Sequence, residues 1–311
     1  MSLTAVGSIA FDAVETPAGK RDRLLGGAAV HFSLASSFLA ETRIVGPVGD
    51  DFGADEYRVL HDRGVVTDDV EHVEGGRTFF WAGRYERDPN VRHTLQTDLN
   101  VFEHFEPKLS EASRAADVLF LANIQPDLQR AVREQCDRAR FVALDTMNLW
   151  IDIARDSLVR TIGMVDALVV NDSEVKDLVD EPNLLRAARA VMDLGPRVVV
   201  VKQGEHGAAM YTPDGFFGLP AYPTPDVVDP TGAGDTFAGG FMGYVAAHAG
   251  EEPSDELLRR AMAYGTVLAS FNVEAFGTER MSALTADEIG ERFAELQRVT
   301  QFDAAPLPLR A

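Results

Sequence analysis

The sequence predicts an α/β fold, with a mostly parallel central sheet covered on both faces by helices. Short β-branched runs such as 198–202 (VVVVK) and 167–170 (ALVV) alternate with longer segments of helical period. No linker rich in Gly, Ser or Pro and no internal repeat divides the 311 residues, so they read as a single domain, 1–311. Only at 74–98 does the period change, and that hairpin-like stretch reads as a small β insertion.

In chain order, Leu3–Phe11 reads as a buried strand of small and apolar residues, and Gly27–Ala40 as a helix small nearly all round, hence buried. Arg43–Val48 reads as a strand and Asp51–Arg63 as a helix. Thr78–Tyr85 and Arg92–Thr97 read as strands about the turn Asp88-Pro89-Asn90. From Asp117 the alternation resumes, with strands at Val118–Ala122, Phe141–Leu144, Ala167–Val170 and Val198–Lys202. Helices fit at Pro126–Arg138, Ile151–Ile162 and Ser173–Leu194, the last broken near Pro182. The C-terminal third is strand-like to Val228, then helical at Ala233–Ala247, Glu256–Phe271 and Asp287–Val299.

Within Thr78–Tyr85, Phe79, Trp81, Gly83 and Tyr85 share one face, and Phe80, Ala82 and Arg84 the other. Two apolar faces fit either a flap with a second copy of the chain against it or a strand packed inside the protein. Arg84, Arg87, Arg92 and His93 put positive charge on this stretch, as plain surface or over a site.

Charge narrows the function classes. Lys and Arg number 29 against 49 Asp and Glu, a net −20, which disfavours nucleic acid and anionic membrane surfaces. No apolar run is long enough for a membrane span, and the N-terminus lacks the basic start of a signal peptide. The single Cys136 excludes an intrachain disulfide and a multi-cysteine metal site. A cytoplasmic location is the expectation.

The strongest local signal is Asp229-Pro-Thr231-Gly232-Ala233-Gly234-Asp235, at the start of a helix. Small residues let backbone N–H groups approach an anion, and the helix dipole reinforces them. A carboxylate in the same turn is placed to take a proton from an attacking hydroxyl. Phe237 stands where a dinucleotide fingerprint needs its third glycine, and no Walker lysine follows the turn. A simple helix cap would account for Asp235 but not for two carboxylates and two glycines within seven residues.

This signature is similar to that of the PfkB/ribokinase family of sugar and nucleoside kinases. Further motifs resemble the family in order: Val6–Asp12, Gly26-Gly27-Ala-Ala-Val-His31, Asn171-Asp-Ser-Glu174 and Lys202-Gln-Gly204-Glu-His-Gly207. The resemblance implies a ribokinase-like three-layer fold with a small β-sheet lid from residues near 13–25 and 74–98. It implies transfer of the ATP γ-phosphate to a hydroxyl of a small polyol, with Asp235 as general base and Gly232, Ala233 and Gly234 as the anion hole. Asn171, Lys202, Gly204, Gly207 and Thr231 would bind ATP. Glu174 and Asn171 would organise Mg²⁺ through water, and Asp229 a monovalent cation such as K⁺. Asn171 and Glu174 equally fit a helix capping box.

Asp12, Gly26, Gly27, His31 and Asn123 would bind the acceptor. Asp12 ends the first strand in this reading and suits adjacent sugar hydroxyls. His31 departs from the family's usual Asn, and a buried structural histidine is the alternative. Asp145-Thr-Met-Asn148-Leu-Trp150 lacks the arginine of a related family stretch, so a phosphosugar clamp is not expected. A free sugar is the first acceptor, with a nucleoside second if Phe79, Trp81 and Tyr85 stack on a base. A non-catalytic sugar- or nucleoside-binding protein on the kinase fold is the reading of a different class. A homodimer through the lid follows from the two apolar faces. In so acidic a chain, attraction of a nucleotide must be local, from the glycine turn, the metal and Lys202, one of four lysines.

Overall fold

The computed structural model describes residues 2–302. β1 (Ser2–Val6) ends at Gly7, and the chain enters a second sheet as β2 (Ala10–Thr16), returning as β3 (Gly19–Gly26). One strand over Leu3–Phe11 is therefore corrected to two. Both are buried, so the apolar composition hides the break at Ser8, whose carbonyl and hydroxyl accept the Ala29 and Ala28 N–H groups at 3.0 Å. Those bonds start α1 (Ala28–Ser36), in which every residue is buried. The correction also moves Asp12 from the end of the first strand into β2.

β4 (Glu41–Val48), α2 (Ala54–Asp62) and β5 (Val66–His72) follow. The sequence reading missed β5, an edge strand whose Asp68, Asp69 and Glu71 obscure the alternation. β6 (Phe79–Tyr85) and β7 (Arg92–Asp98) form the expected hairpin, and the short α3 (Glu111–Arg114) leads back to the main layer. There β8 (Val118–Leu121), α4 (Pro126–Gln135) and β9 (Phe141–Asp145) are followed by α5 (Asn148–Ile153) and α6 (Arg155–Ile162), two helices where one was expected. Next come β10 (Ala167–Asn171), α7 (Asp172–Val179), α8 (Leu184–Met192) and β11 (Val198–Lys202). After β12 (Ala208–Thr212) and β13 (Gly215–Leu219), residues 220–232 form no regular strand, contrary to the strand-like reading up to Val228. Prolines at 220, 223, 225 and 230 remove the donors a ladder needs. The chain closes with α9 (Ala233–Ala247), α10 (Asp255–Asn272), α11 (Glu279–Ala283) and α12 (Ala286–Thr300).

The main sheet has nine strands in the order β13-β12-β11-β10-β9-β8-β1-β4-β5, parallel from β11 to β5. Its residues alternate between two cores. Leu119, Val142, Leu168 and Val199 pack with Leu158, Val175 and Val191 on one face. Phe120, Phe141, Val169 and Val200 pack with Phe237, Phe241 and Leu258 on the other. The lid is a separate four-stranded sheet, β3-β2-β6-β7, so its boundaries are residues 10–26 and 79–98. The two apolar faces of β6 find partners within the chain: Phe79 meets Phe102 edge-on at 6.1 Å, and Phe80 packs against the cluster holding Ile9 and Phe11.

α9 lies between α1 and α10 with almost no side chain intervening. A Cβ on Gly239 would collide with the Phe32 carbonyl, and one on Gly240 would lie 2.8 Å from the Tyr264 carbonyl. Gly239→Ala is therefore expected to destabilise the protein by about 1–3 kcal/mol through overpacking. Gly290→Ala, in α12 with no atom within 4 Å of the new methyl, should stabilise by about 0.5–1 kcal/mol through helix propensity. Denaturant melts of the two variants should thus shift in opposite directions.

Candidate active site

β9, β10 and β11 end side by side at Asp145, Asn171 and Lys202, on the carboxyl edge where parallel sheets bind ligands. Lys202 Nζ donates to Asp145 Oδ2 at 3.2 Å. A methyl on Gly234 would lie 3.0 Å from the same Nζ, so the ammonium sits against the glycine turn. Burial alone would lower the lysine, but Asp145, Glu174 and Asp235 outweigh it and hold Lys202 above its ordinary value. Burial pushes Asp145 up to about 6 and Glu174 up to about 7, with Lys202 pulling each back. Asp235 is raised by burial too. This is one ammonium among three carboxylates.

Asn171 and Glu174 form the capping box of α7. Asn171 Oδ1 accepts from Ser173 N, Ser173 Oγ and Glu174 N, and Glu174 Oε2 accepts from Asn171 N at 2.8 Å. The cap leaves Glu174 beside Lys202 and Asp145, as their mutual charge effects require.

In the turn before α9, Gly232 is left-handed (φ 73°), which a side chain would resist, and packs on the His31 ring. Ala233 N–H donates to Pro230 O at 3.2 Å, whereas among the described residues the Gly234 N–H has no backbone acceptor. Asp235 follows in the first helical turn, partly exposed to the cleft. Asp229 is buried, its two oxygens accepting from Thr231 N at 2.9 Å and Gly277 N at 3.0 Å. The Thr231 hydroxyl donates to Tyr85 Oη of the lid at 3.3 Å.

Asp12 enters from the lid. Burial and the nearby Asp229 push it up to about 7, against the Gly27 N–H, which favours its ionised form. Gly26 leaves room for its carboxyl, which a Cβ there would strike. His31 is 1% exposed and held neutral by burial. Its Nδ1 lies 3.2 Å from Asn272 Oδ1, which also accepts from Thr236 Oγ1 at 3.0 Å, while Asn272 Nδ2 donates to Thr231 O at 2.8 Å. An amide oxygen can only accept, so the imidazole proton sits on Nδ1 and Nε2 is a bare acceptor. Nε2 is buried without a hydrogen-bond partner among the described residues.

The sequence-derived residues thus form two groups that meet at Asp235. Asp12, Gly26, Gly27, His31, Asp229 and Gly232 lie on one side, and Lys202, Glu174, Asn171 and Gly234 on the other. Gly204 and Gly207 shape the turn after β11 with φ of 55° and 95°. Asn123 is brought to neither group by a hydrogen bond. It accepts from Trp150 Nε1 at 3.0 Å and faces Met147 Sδ at 3.2 Å. The sequence reading considered Tyr85 only for base stacking and Asp145 only within a phosphate-clamp stretch that it did not expect, and it did not single out Asn272. Asp145 could have been found as a carboxylate ending a buried strand, whereas Asn272 carries no local signal.

A family model described as pfkB family carbohydrate kinase matches residues 3–285. Over 268 residues the chain is 27% identical to a cytidine kinase of Thermococcus kodakarensis, covering 83% of this chain and 92% of that one. It is 28% identical over 308 residues to a nucleoside kinase of Methanothermobacter thermautotrophicus, covering 89% and 91%. The fold matches that of Burkholderia thailandensis nucleoside kinase in complex with inosine, with a TM-score of 0.80 at 20% identity over 94% of this chain and 97% of the other.

Asp12 also yields a stability forecast. Its raised folded pKa means that the folded state retains a proton the unfolded chain has lost, so stability falls as pH rises from about 4 to about 7 and the full cost persists above. Asp12→Asn should therefore raise the melting temperature, and by more at pH 8 than at pH 5. Equal shifts at the two pH values would contradict this assignment.

Proposed function

The chain belongs to the pfkB family of carbohydrate kinases, ATP-dependent phosphotransferases acting on a sugar or nucleoside hydroxyl, and we propose that its acceptor is the ribose of a nucleoside, with Asp235 as general base. The observation that carries this reading is one turn in which Asp235 and a Gly234 N–H without a backbone acceptor stand side by side, Lys202 beneath and Asp12 across from them. Asp235 takes the proton of the attacking hydroxyl as its oxygen bonds to the γ-phosphorus and the bond to the ADP oxygen breaks. The Gly234 N–H and the α9 dipole stabilise the phosphoryl charge from one side. The lid excludes water that would otherwise accept the phosphoryl group.

Asp12, with the side-chain-free Gly26 and Gly27 beside it, suits the vicinal hydroxyls of a ribose. Of the three lid aromatics first considered for base stacking, Phe79 packs on Phe102 and Tyr85 is bonded to Thr231. Trp81 is half-buried against Val14, Tyr85 and Phe276, with its Nε1 donating to Thr94 Oγ1 at 3.3 Å, and keeps part of its ring exposed. The cytidine and nucleoside kinases similar to this chain support a nucleoside ahead of the free sugar preferred from sequence.

Among the described residues no group of three or more His, Cys, Asp or Glu forms a metal cage. Mg²⁺ fits Glu174 nonetheless, since this ion keeps several waters and relies on one or two carboxylates plus substrate phosphates. When bound it neutralises phosphate charge. Asn171 orients Glu174 through the cap, its Oδ1 already accepting three hydrogen bonds. K⁺ at Asp229 belongs to the same proposal, and potassium titration of the rate tests it. So does a homodimer through the lid, whose outermost strands β3 and β7 each have an outer edge with no strand beside it among the described residues, and whose Leu95 is 56% exposed. Light scattering that finds a monomer at high concentration removes the dimer.

Asp235→Asn should lower kcat about 10²–10⁴-fold with little change in either KM. Because Asp235 is raised and must be ionised to act, the wild-type kcat should fall as pH drops through its pKa. An unchanged kcat in the variant refutes the assignment. With ATP and Mg²⁺, cytidine, inosine or adenosine should be turned over in preference to ribose or fructose, and Trp81→Ala should reduce that preference. A preference for the free sugars would overturn the acceptor reading.

A further inference from the structure

Lys202 and Asp145 are not on neighbouring strands. In the main sheet β10 lies between β11, which ends at Lys202, and β9, which ends at Asp145. Adjacent strands stand about 4.8 Å apart, so the two ends are separated by roughly 10 Å. The 3.2 Å bond from Lys202 Nζ to Asp145 Oδ2 therefore crosses the end of β10. Asn171, the register partner of Lys202, ends that strand and caps α7, from whose first turn Glu174 is presented. The lysine side chain thus lies over the strand end that carries Asn171 and Glu174.

The pair is enclosed: the Lys202 side chain is 18% exposed and that of Asp145 6%. Asp145 Oδ1 accepts from Thr146 N at 2.7 Å, and Lys202 takes the other oxygen. Glu174 keeps Oε1 without a hydrogen bond among the described residues, while its Oε2 accepts from Asn171 N. Burial opposes the lysine's charge, and Asp145, Glu174 and Asp235 together outweigh it. The chain thus supplies its own cation to the place beside Glu174 that the functional reading gives to Mg²⁺. A divalent cation there would meet the ammonium at close range and out of bulk water, where like charges repel strongly.

We propose that Lys202 is the resident counter-ion of this site and makes metal binding conditional on nucleotide. With no nucleotide bound, the ammonium stays on Asp145 and disfavours a divalent cation beside Glu174. Phosphate oxygens give Lys202 another acceptor, and its flexible four-carbon stem lets the ammonium turn to them from a fixed strand end. A methyl on Gly234 would lie only 3.0 Å from Nζ, so the glycine turn is already within its reach. Once Lys202 turns away, Asp145 and Glu174 are left to a metal. The coupling is reciprocal: a metal that binds better when the ammonium has left also favours the state in which Lys202 holds the nucleotide. The proposal rests on the kinase reading above, but its first test needs neither acceptor nor turnover.

That test is a titration of the full chain with Mn²⁺, a paramagnetic substitute for Mg²⁺, at pH 8, above the values to which Asp145 and Glu174 are pushed. Without nucleotide, Lys202→Met should bind Mn²⁺ about 10-fold or more tightly than the wild-type chain. Lys202→Gln, which keeps a hydrogen bond to Asp145 without the charge, should gain likewise and guards against a folding defect in the methionine variant. Mg²⁺ alone should also raise the melting temperature of either variant more than that of the wild type. Adding Glu174→Gln to Lys202→Met should abolish the gain, which sets it apart from binding to surface carboxylates. In EDTA, where no metal replaces the lost ammonium, both lysine variants should bind ADP about 10-fold more weakly than the wild type. A folded lysine variant without a gain in Mn²⁺ affinity overturns the proposal. So does a gain that survives Glu174→Gln, or an unchanged affinity for ADP. A wild-type chain that binds no nucleotide, with or without metal, would overturn the kinase reading, and this proposal with it.

Discussion

The site depends first on how closely α9 approaches its neighbours. Gly239 and Gly240 let its backbone touch those of α1 and α10, and Gly243 continues the contact at Ser36. Each glycine weakens an isolated helix by about 1 kcal/mol relative to alanine. Here the loss is offset by burial of Phe237 and Phe241, which reach the sheet only because the helices stand so near. Phe32 of α1 stacks on Phe120 with ring centroids 4.3 Å apart, fixing the same layer from the other side. Once these contacts are made, the N-terminus of α9 has one place to lie. Gly232 rests on His31 from α1, and Asn272 from the end of α10 ties Thr231, Thr236 and His31 together.

Electrostatics explains why such rigidity is needed. Asp12, Asp145, Glu174 and Asp235 are all held above the usual carboxylate range by burial, with Lys202 as the ammonium among them. Left to relax, such groups would separate or draw in water. Backbone packing and caps hold them, so the site retains unfavourable charge that a metal or a hydrogen-bonding ligand can relieve. The net charge of −20 acts elsewhere and does not govern this arrangement. The buried neutral His31 fits the same pattern, because a second cation beside Asp229 would cancel part of that tension.

What could be read from the sequence follows physical range. The bounds of α9 were legible to the residue because a tight glycine turn and a polar Asp235 mark its start locally. β11 was legible because four consecutive valines admit little else. The break between β1 and β2 was not, because a lone Gly7-Ser8 pair between two buried apolar runs carries no charged or proline residue to mark it. Pairs distant in sequence were out of reach altogether: Lys202 and Asp145 are 57 residues apart, and His31 and Asn272 are 241 apart. Asn171 and Glu174 show a subtler limit. Their spacing serves both a cap and a metal site, and only the accepted hydrogen bonds on Oδ1 separate the two roles.

The relocation of Asp12 has the widest consequence. As the end of β1 it would belong to the rigid sheet, and acceptor binding would leave the lid untouched. In β2 it pairs in register with Trp81 of β6, and β6 pairs with β7, where Arg92 faces Tyr85. The carboxylate proposed to hold the ribose is therefore built on the small sheet and not on the main one. On the proposed reading, a hydroxyl seated on Asp12 would hold that sheet against the cleft through its ladder of backbone hydrogen bonds. A water molecule, unlike an acceptor that reaches from Asp12 toward Asp235, would give the lid less reason to stay closed. Discrimination against hydrolysis would then come from the lid's connectivity as well as from the shape of the pocket.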